Sequence, residues 1–449
     1  MRSGIILFLY PLLAIVFTML LSSRRRIDIL VLLHSLLHIG LGIHSYVNRN
    51  SLLGIDDLGL FMFLILSVLY CAVAFYRLGY KDEHSVKDYR VHSVFLMIFV
   101  MAMDAATIAK DLGVIWIFIE ATTIASAMLV NYYNRKSSLE AAWKYLFICS
   151  VGIALAFAGI LLLVISQPQN PTLLVNRIDV AAISPFWLKI SFVFILIGFG
   201  TKMGLAPLHF WLPDAHSEAP APISALLSGA LLNVALIPIL RVDRLMRNSG
   251  LGEVAKELYL LMGFLSVFIA AVFVLKTKDF KRILAYSSIE NMGLILIAFG
   301  IGSFAHQAAY LHILGHSLVK AAFFLTAGNA LFIYEDKNYE NLGSLLKINR
   351  GSAWLWLISS MMIIGLPPSP LFTSKFFIAT ALLKEGAYLQ FGLLMLLLTV
   401  VSWSIVNVGL KICLGDSERK QSLNALLYLS PTALLVLASV IGVFLPSLR

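Results

Sequence analysis

Residues 186–207 read FWLKISFVFILIGFGTKMGLAP. After Lys189 the stretch is apolar for a dozen residues. Gly198, Gly200 and Gly204 then gather around Lys202, with Pro207 just beyond. A lysine in the middle of a bilayer costs at least a few kcal/mol and is kept where it faces a polar interior. Glycines and a proline that interrupt a helix free backbone carbonyls beside such a charge, and broken helices of this kind mark ion sites in transporters. The stretch predicts a membrane span that ends in a helix break with an ionisable group buried at it.

Working outward, the whole chain asks for the same solvent. Its 449 residues are 60% hydrophobic and only 13% charged, with a mean hydropathy of +0.89, which is more apolar surface than a soluble core hides. About fourteen stretches are long enough for a bilayer core of about 30 Å, the first at 4–21, the last at 423–445, and one, 353–378, interrupted. The expected fold is an all-α integral membrane protein forming one multi-pass domain. Helices 1 to 3 lie in 1–92, helices 4 to 8 in 93–245, helices 9 to 13 in 252–415 and a final helix in 420–449. Arg24, Arg25 and Arg26 follow the first segment, so it reads as a retained helix rather than a cleaved signal peptide.

The net charge of +10 sets topology and not affinity for nucleic acid. Basic residues crowd alternate connections: Arg24 to Arg26; Arg77, Lys81, Lys87 and Arg90; Arg135 and Lys136; Lys276, Lys278, Lys281 and Arg282; Lys337, Lys347 and Arg350; Lys411, Arg419 and Lys420. By the positive-inside rule these face the cytoplasm, and an even number of spans puts both termini outside. Arg241, Arg244, Arg247 and Lys256 break that alternation. Cys71, Cys149 and Cys413 are far apart and lack the spacing that holds an iron–sulfur cluster or zinc. With no P-loop and no dinucleotide fingerprint, the chain is expected to bind no cofactor or metal and to have no redox centre of its own.

All but four of the lysines and arginines fall in connections, at segment ends or at the termini. The four are Lys144, Lys202, Lys320 and Lys375. Lys144 lies four residues after Glu140 near the start of its segment, where it can snorkel or pair along the helix. Glu120, alone in an apolar run, is placed to pair with Lys202, and a partner that moves would make that pair a switch. His312, His316 and Lys320 recur every four residues, which stacks three titratable groups on one helix face over about 12 Å. Histidine suits proton relay. Lys375 follows a second break at Pro367, Pro368 and Pro370. The two breaks lie five segments apart, and a repeat shifted by an odd number of spans is inverted in the membrane, so two inverted five-helix repeats with broken helices 7 and 12 are expected.

On these residues the chain resembles a known family. Gly200 to His216 (GTKMGLAPLHFWLPDAH), Lys281 to Ser288, His312 to Lys320 and Gly365 to Pro368 are similar to the antiporter-like subunits shared by respiratory complex I, membrane-bound hydrogenases and multisubunit cation/proton antiporters. Within it, Glu218 to Ser224, Leu232-Asn233 and Tyr286 to Gly293 most resemble the hydrogenase-4 component F branch of formate hydrogenlyase-type complexes. The resemblance implies that Glu120, Lys202, His312, His316, Lys320 and Lys375 line a hydrated mid-membrane axis, with Asn233 standing where many relatives have a lysine or histidine. Protons would approach Lys202 from the cytoplasm, pass His312, His316 and Lys320, and leave at Lys375 when a neighbouring subunit changes the field at Glu120. His209, Asp214 and His216 either fill a funnel or order a connection. Glu290 serves either the relay or an intersubunit contact, and Lys281 and Lys144 are accessory candidates. The resemblance further implies a prokaryotic cytoplasmic membrane, other membrane subunits as partners, and a peripheral redox arm carrying Fe–S clusters and a Ni–Fe centre. The alternative is a cation/proton antiporter subunit, moving sodium or protons without a redox module.

Overall fold

A computed structural model describes residues 2–47, 55–80, 84–416 and 421–444; of residues 2–8, 303 and 304 only the backbone is described. Lys81, Arg419, Lys420 and position 445 of the last predicted segment lie outside these. The described chain is all helical, with no strand. In chain order the helices are α1 (Arg2–Leu20), α2 (Arg24–Val47), α3 (Asp57–Gly79), α4 (Val86–Ile108), α5 (Leu112–Val130), α6 (Lys136–Ile165) and α7 (Pro185–Met203). The short α8 (Trp211–Glu218) and α9 (Ala221–Leu226) follow. A π turn at Leu227–Leu231 then leads into α10 (Leu232–Asn248). The remainder is α11 (Gly252–Val274), α12 (Phe280–Ile301), α13 (Ser303–Tyr334), α14 (Leu345–Ile348), α15 (Arg350–Ile364), α16 (Pro370–Lys384), α17 (Tyr388–Cys413) and α18 (Leu426–Phe444).

Twelve spans among the described residues are long and apolar enough to cross a membrane. The apolar part of α1, Leu9–Leu20, and the pair α15 and α16 on either side of a break account for the rest of the fourteen expected segments. α6 shows how a lipid-facing helix is written. Trp143, Phe147 and Val151, spaced by four, are exposed, while Tyr145, Cys149 and Gly152 are buried. The apolar residues of its outer face are exposed, as a helix facing hydrocarbon or another membrane helix requires, and its polar Tyr145 and Cys149 turn inward.

Two compact units form. One comprises residues 1–203 and 230–255, the other 204–229 and 256–449. In the first, α6 and α7 pack along each other, α10 lies on α7, and α1 to α4 form a bundle joined through α4 to α5. Glycines allow the α6–α7 approach: a Cβ at Gly198 would meet the backbone of Ala156, and one at Gly152 would stand 2.5 Å from Cβ of Thr201. In the second unit α13 packs against α9, α12, α15, α16 and α18, and α8 against α12.

Both predicted breaks are present, and both turn on a glycine in the left-handed region. α7 ends at Met203, Gly204 has φ +79°, and the Ala206–Pro207 peptide is cis; α15 ends at Ile364, Gly365 has φ +92°, and Pro367–Pro368 is cis. A side chain would strain either glycine. Gly200 needs correction: it remains inside α7, since its backbone bonds continue to Met203 and the reversal waits for Gly204. Pro370 opens α16 rather than breaking a helix, its missing N–H falling in the first turn where no partner is required. Arg241, Arg244 and Arg247, expected in a connection, belong to α10, and Lys256 to α11. Arg241 is buried, donating to the Ala109 carbonyl and pairing with Asp56 at 3.0 Å.

Candidate functional site

In the first unit α7 carries Lys202 to its last turn, where the side chain is fully buried. Its ammonium donates to Thr123 Oγ1 on α5 at 2.8 Å and to Tyr145 OH on α6 at 2.5 Å, and lies 4.6 Å from the Tyr145 ring centroid. The tyrosine thus offers its hydroxyl oxygen to the cation, which sits at the phenol end of the ring. Tyr145 OH and Ser126 Oγ are 2.6 Å apart, and Ser126 spends its own hydrogen on the Thr122 carbonyl, so the phenol donates to it.

Glu120 does not touch Lys202. Thr123 stands between them: its hydroxyl accepts from Lys202 and donates to Glu120 Oε2 at 3.2 Å, while Ser150 donates to Oε1 at 2.9 Å. The expected direct pair is therefore a carboxylate, a hydroxyl and an ammonium in series, and a hydroxyl that both accepts and donates is what a proton needs to be handed on. Asn233 is buried on α10, but the hydrogen bonds of Lys202 go to Thr123 and Tyr145. Lys144 stays on an exposed face of α6, paired with Glu140 at 2.6 Å. This is the pairing along the helix that its spacing from Glu140 suggested.

The second unit assembles the other candidates. Lys375 on α16 pairs with Glu290 on α12 at 3.0 Å and also donates to the carbonyls of Ile363 and Ile364, at 3.3 and 3.5 Å. Those carbonyls belong to the end of α15, where no further helical turn can take them. The break supplies ligands to an ammonium as the sequence predicted, but to Lys375 and not to Lys202. Beside Glu290, Asn291 donates to Glu290 Oε2 at 3.3 Å and to the Ser287 carbonyl at 2.6 Å, which turns its own oxygen toward His312 Nε2 at 2.9 Å. His312 Nδ1 lies 2.8 Å from Ser374 Oγ. Lys375, Glu290, Asn291 and His312 are thus hydrogen-bonded without interruption across three helices.

Further along α13, His316 and Lys320 are fully buried, and Lys320 donates to the Leu284 carbonyl at 2.5 Å. Phe324 lies 5.9 Å from its ammonium and stacks on His216 at 4.6 Å, so the α8 histidine and the α13 lysine meet on one ring. Lys281, expected in a basic connection, is buried, and its ammonium takes the Ala219 and Ser217 carbonyls at 2.5 and 3.3 Å. Asp279 caps α12 and starts the helix early enough to turn Lys281 inward. Asp214 pairs with Arg282 at 2.8 Å and Glu218 with Lys337 at 3.0 Å, which makes them tethers of α8. His209 is buried beside Phe210 and Phe273.

Sequence reasoning missed Thr123, Tyr145, Ser126, Ser150, Asn291 and Ser374. Hydroxyls and amides are unremarkable on apolar helices, and the signal available was their spacing: Glu120, Thr123 and Ser126 repeat every three residues on α5.

Residues 109–405 match the family model described as NADH:quinone oxidoreductase/Mrp antiporter, TM. The chain is 37% identical over 380 residues to a hydrogenase-4 component F homolog of Methylacidiphilum infernorum, covering 82% of this chain and 79% of the relative. Against hydrogenase-4 component B of Escherichia coli it is 30% identical over 338 residues, 72% of this chain but only 50% of that longer protein. A chain in the structure of the membrane-bound sulfane sulfur reductase, an archaeal respiratory membrane complex, superposes with a TM-score of 0.89 at 21% identity, covering 100% of this chain and 95% of that one, a likeness of fold. The chain belongs to the NADH:quinone oxidoreductase/Mrp antiporter family of transmembrane proteins.

Proposed function

We propose that this chain is the proton-translocating, antiporter-like membrane subunit of a redox-driven ion pump of the membrane-bound hydrogenase, formate hydrogenlyase or complex I type. The observation that carries this reading is the uninterrupted series Lys375, Glu290, Asn291 and His312. An ion pair, an amide and an imidazole in hydrogen-bond contact inside a membrane are costly unless used, and they present alternating donors and acceptors along which a proton can be passed. In the other unit Thr123 lets Glu120 and Lys202 exchange a proton through one hydroxyl.

The partners follow from the same reading. In this reading a peripheral redox arm with Fe–S clusters, and in the hydrogenase case a Ni–Fe centre, drives the pump through neighbouring membrane subunits. The location is the cytoplasmic membrane of a prokaryote, with both termini outside.

Gentle detergent extraction from native membranes, followed by mass spectrometry of whatever co-migrates with the chain, tests the proposal. Iron–sulfur and hydrogenase- or quinone-reductase-like subunits are expected. Recovery with membrane antiporter subunits alone would overturn it in favour of gradient-driven cation/proton exchange.

A further inference from the structure

Helices α1 to α4 lie outside the residues matched to the family, and the relay above uses none of them. Their packed faces nonetheless hold a second set of buried titratable groups. His38 on α2 is fully buried, with Nε2 2.9 Å from both carboxylate oxygens of Asp104 on α4 and Nδ1 2.7 Å from Ser67 Oγ on α3. Its ring stacks on Phe63 at 4.5 Å. One turn earlier, His34 Nδ1 meets Tyr70 OH at 2.9 Å, and the His34 ring stacks on Tyr10 of α1 at 4.8 Å. Tyr70 sits edge-on to both histidines.

Counting hydrogens at His38 gives two states. The Ser67 hydroxyl has one hydrogen and two acceptors at the same 2.7 Å, His38 Nδ1 and the Phe63 carbonyl. If it points at Nδ1, the imidazole is neutral with its hydrogen on Nε2 toward Asp104, and the site carries one negative charge. If it points at Phe63, Nδ1 must bring its own hydrogen; His38 is then an imidazolium paired with the carboxylate, and the site is neutral. The states differ by one proton and one hydroxyl rotation.

His312 in the other unit is built in the same way. Ser374 Oγ lies 2.8 Å from its Nδ1 and 3.1 Å from the Leu371 carbonyl, and an oxygen, that of Asn291, faces Nε2 at 2.9 Å. The chain thus places the same serine-backed histidine twice, once in the series with Lys375 and once among helices the relay leaves out. What differs is the group on Nε2: an amide at His312, a carboxylate at His38.

The charges facing this site are accounted for. Asp28 of α2 and Arg77 of α3 pair at 3.2 Å and are held by Tyr89 and Ser93 of α4. Arg241 of α10 is held by Asp56, Cys71 of α3 is uncharged as a thiol, and His92 of α4 packs on Tyr132. Among the described residues none of these groups pairs with the Asp104 carboxylate, whose hydrogen-bond partner is His38.

We propose that His38, Asp104 and Ser67 form a proton-loading site in the N-terminal helices, separate from the lysine series, that takes up and returns one proton. A proton held there and released elsewhere gives these four helices a part in translocation beyond anchoring.

The test is a pH titration of the purified complex followed by infrared difference spectroscopy in H2O and D2O. A carboxylate and imidazole band pair is expected, lost in Asp104→Asn, lost in His38→Gln, and lost no further in the double variant, because the two residues share one proton. Lys202→Ala should leave the bands in place, which separates this site from the reading of the lysine series. Ser67→Ala keeps the pair and removes the rotating hydroxyl, so the bands should remain with a midpoint moved by about one pH unit, a tenfold change in proton affinity. Identical titrations of wild type and Asp104→Asn, or bands unmoved by Ser67→Ala, would overturn the proposal and leave a fixed ion pair between α2 and α4.

Discussion

Lys375 and Glu290 stand 85 residues apart in sequence and 3.0 Å apart in space, and the ammonium also takes two carbonyls released where α15 ends. The pair is nearly dry, its side chains 11% and 2% exposed. Removing one partner of a buried pair costs about 3–5 kcal/mol because the other charge is stranded, whereas replacing both by apolar groups is often neutral. Glu290→Gln should therefore lower the thermal stability of the purified chain, and Glu290→Gln with Lys375→Met should recover most of the loss. Proton translocation by the complex should fall at least about tenfold in either, equivalent to ~1.4 kcal/mol on the barrier. A double variant no more stable than Glu290→Gln would show that the carbonyls, not the carboxylate, hold Lys375.

Thr123 offers a sharper test of the other unit because its hydroxyl is the only described contact joining Lys202 to Glu120. Thr123→Val keeps the shape and deletes the oxygen. A hydrogen bond to a charged group contributes about 1.5–3 kcal/mol. Translocation should fall about tenfold or more while the complex still assembles, and Thr123→Ser should restore it. Wild-type rates in Thr123→Val would mean that Glu120 and Lys202 communicate by another route.

How much of this was legible depended on which residues were out of place in an apolar chain. Lys202, Lys320 and Lys375 announced themselves because a cation in a membrane segment is expensive, and the two breaks because glycines and prolines cluster beside Lys202 and prolines before Lys375; that Gly365 makes the second reversal emerged only from the backbone. Thr123 and Tyr145 did not, since a hydroxyl is tolerated almost anywhere on a helix and acquires meaning only when packing brings Lys202 to it from 79 and 57 residues away. Lys281 was hidden among Lys276, Lys278 and Arg282, and only the Asp279 cap that sets the helix phase separates it from its exposed neighbours. Asp104 escaped because attention to buried cations overlooks a buried anion whose partner is a histidine on another helix.

Lys144 supplies the contrast. Its ion pair with Glu140 is half exposed, and pairs of this kind on a helix contribute about 0.3–0.5 kcal/mol. Lys144→Ala should leave stability and translocation within about 0.5 kcal/mol of wild type. A loss of transport as deep as that of Lys202→Ala would place Lys144 in the path after all.

The last prediction joins packing to chemistry. Lys202 reaches Tyr145 because α6 and α7 touch backbone to backbone, and Gly198 is where they do so: an added Cβ would run into the nitrogen, Cα and Cβ of Ala156. Backbone cannot swing aside as a long side chain can, so Gly198→Ala must push the helices apart, at about 1–3 kcal/mol for overpacking. The added separation falls four residues, one turn, from Lys202, and lengthens its 2.5 Å contact with Tyr145. Stability and translocation should therefore drop together in Gly198→Ala. Gly392→Ala on α17, where a Cβ meets nothing within 4 Å, should disturb neither. If Gly198→Ala unfolds no more readily than Gly392→Ala, the close approach of α6 and α7 is not what holds Lys202 in place, and the geometry of the Thr123 bridge must be set by α5 instead.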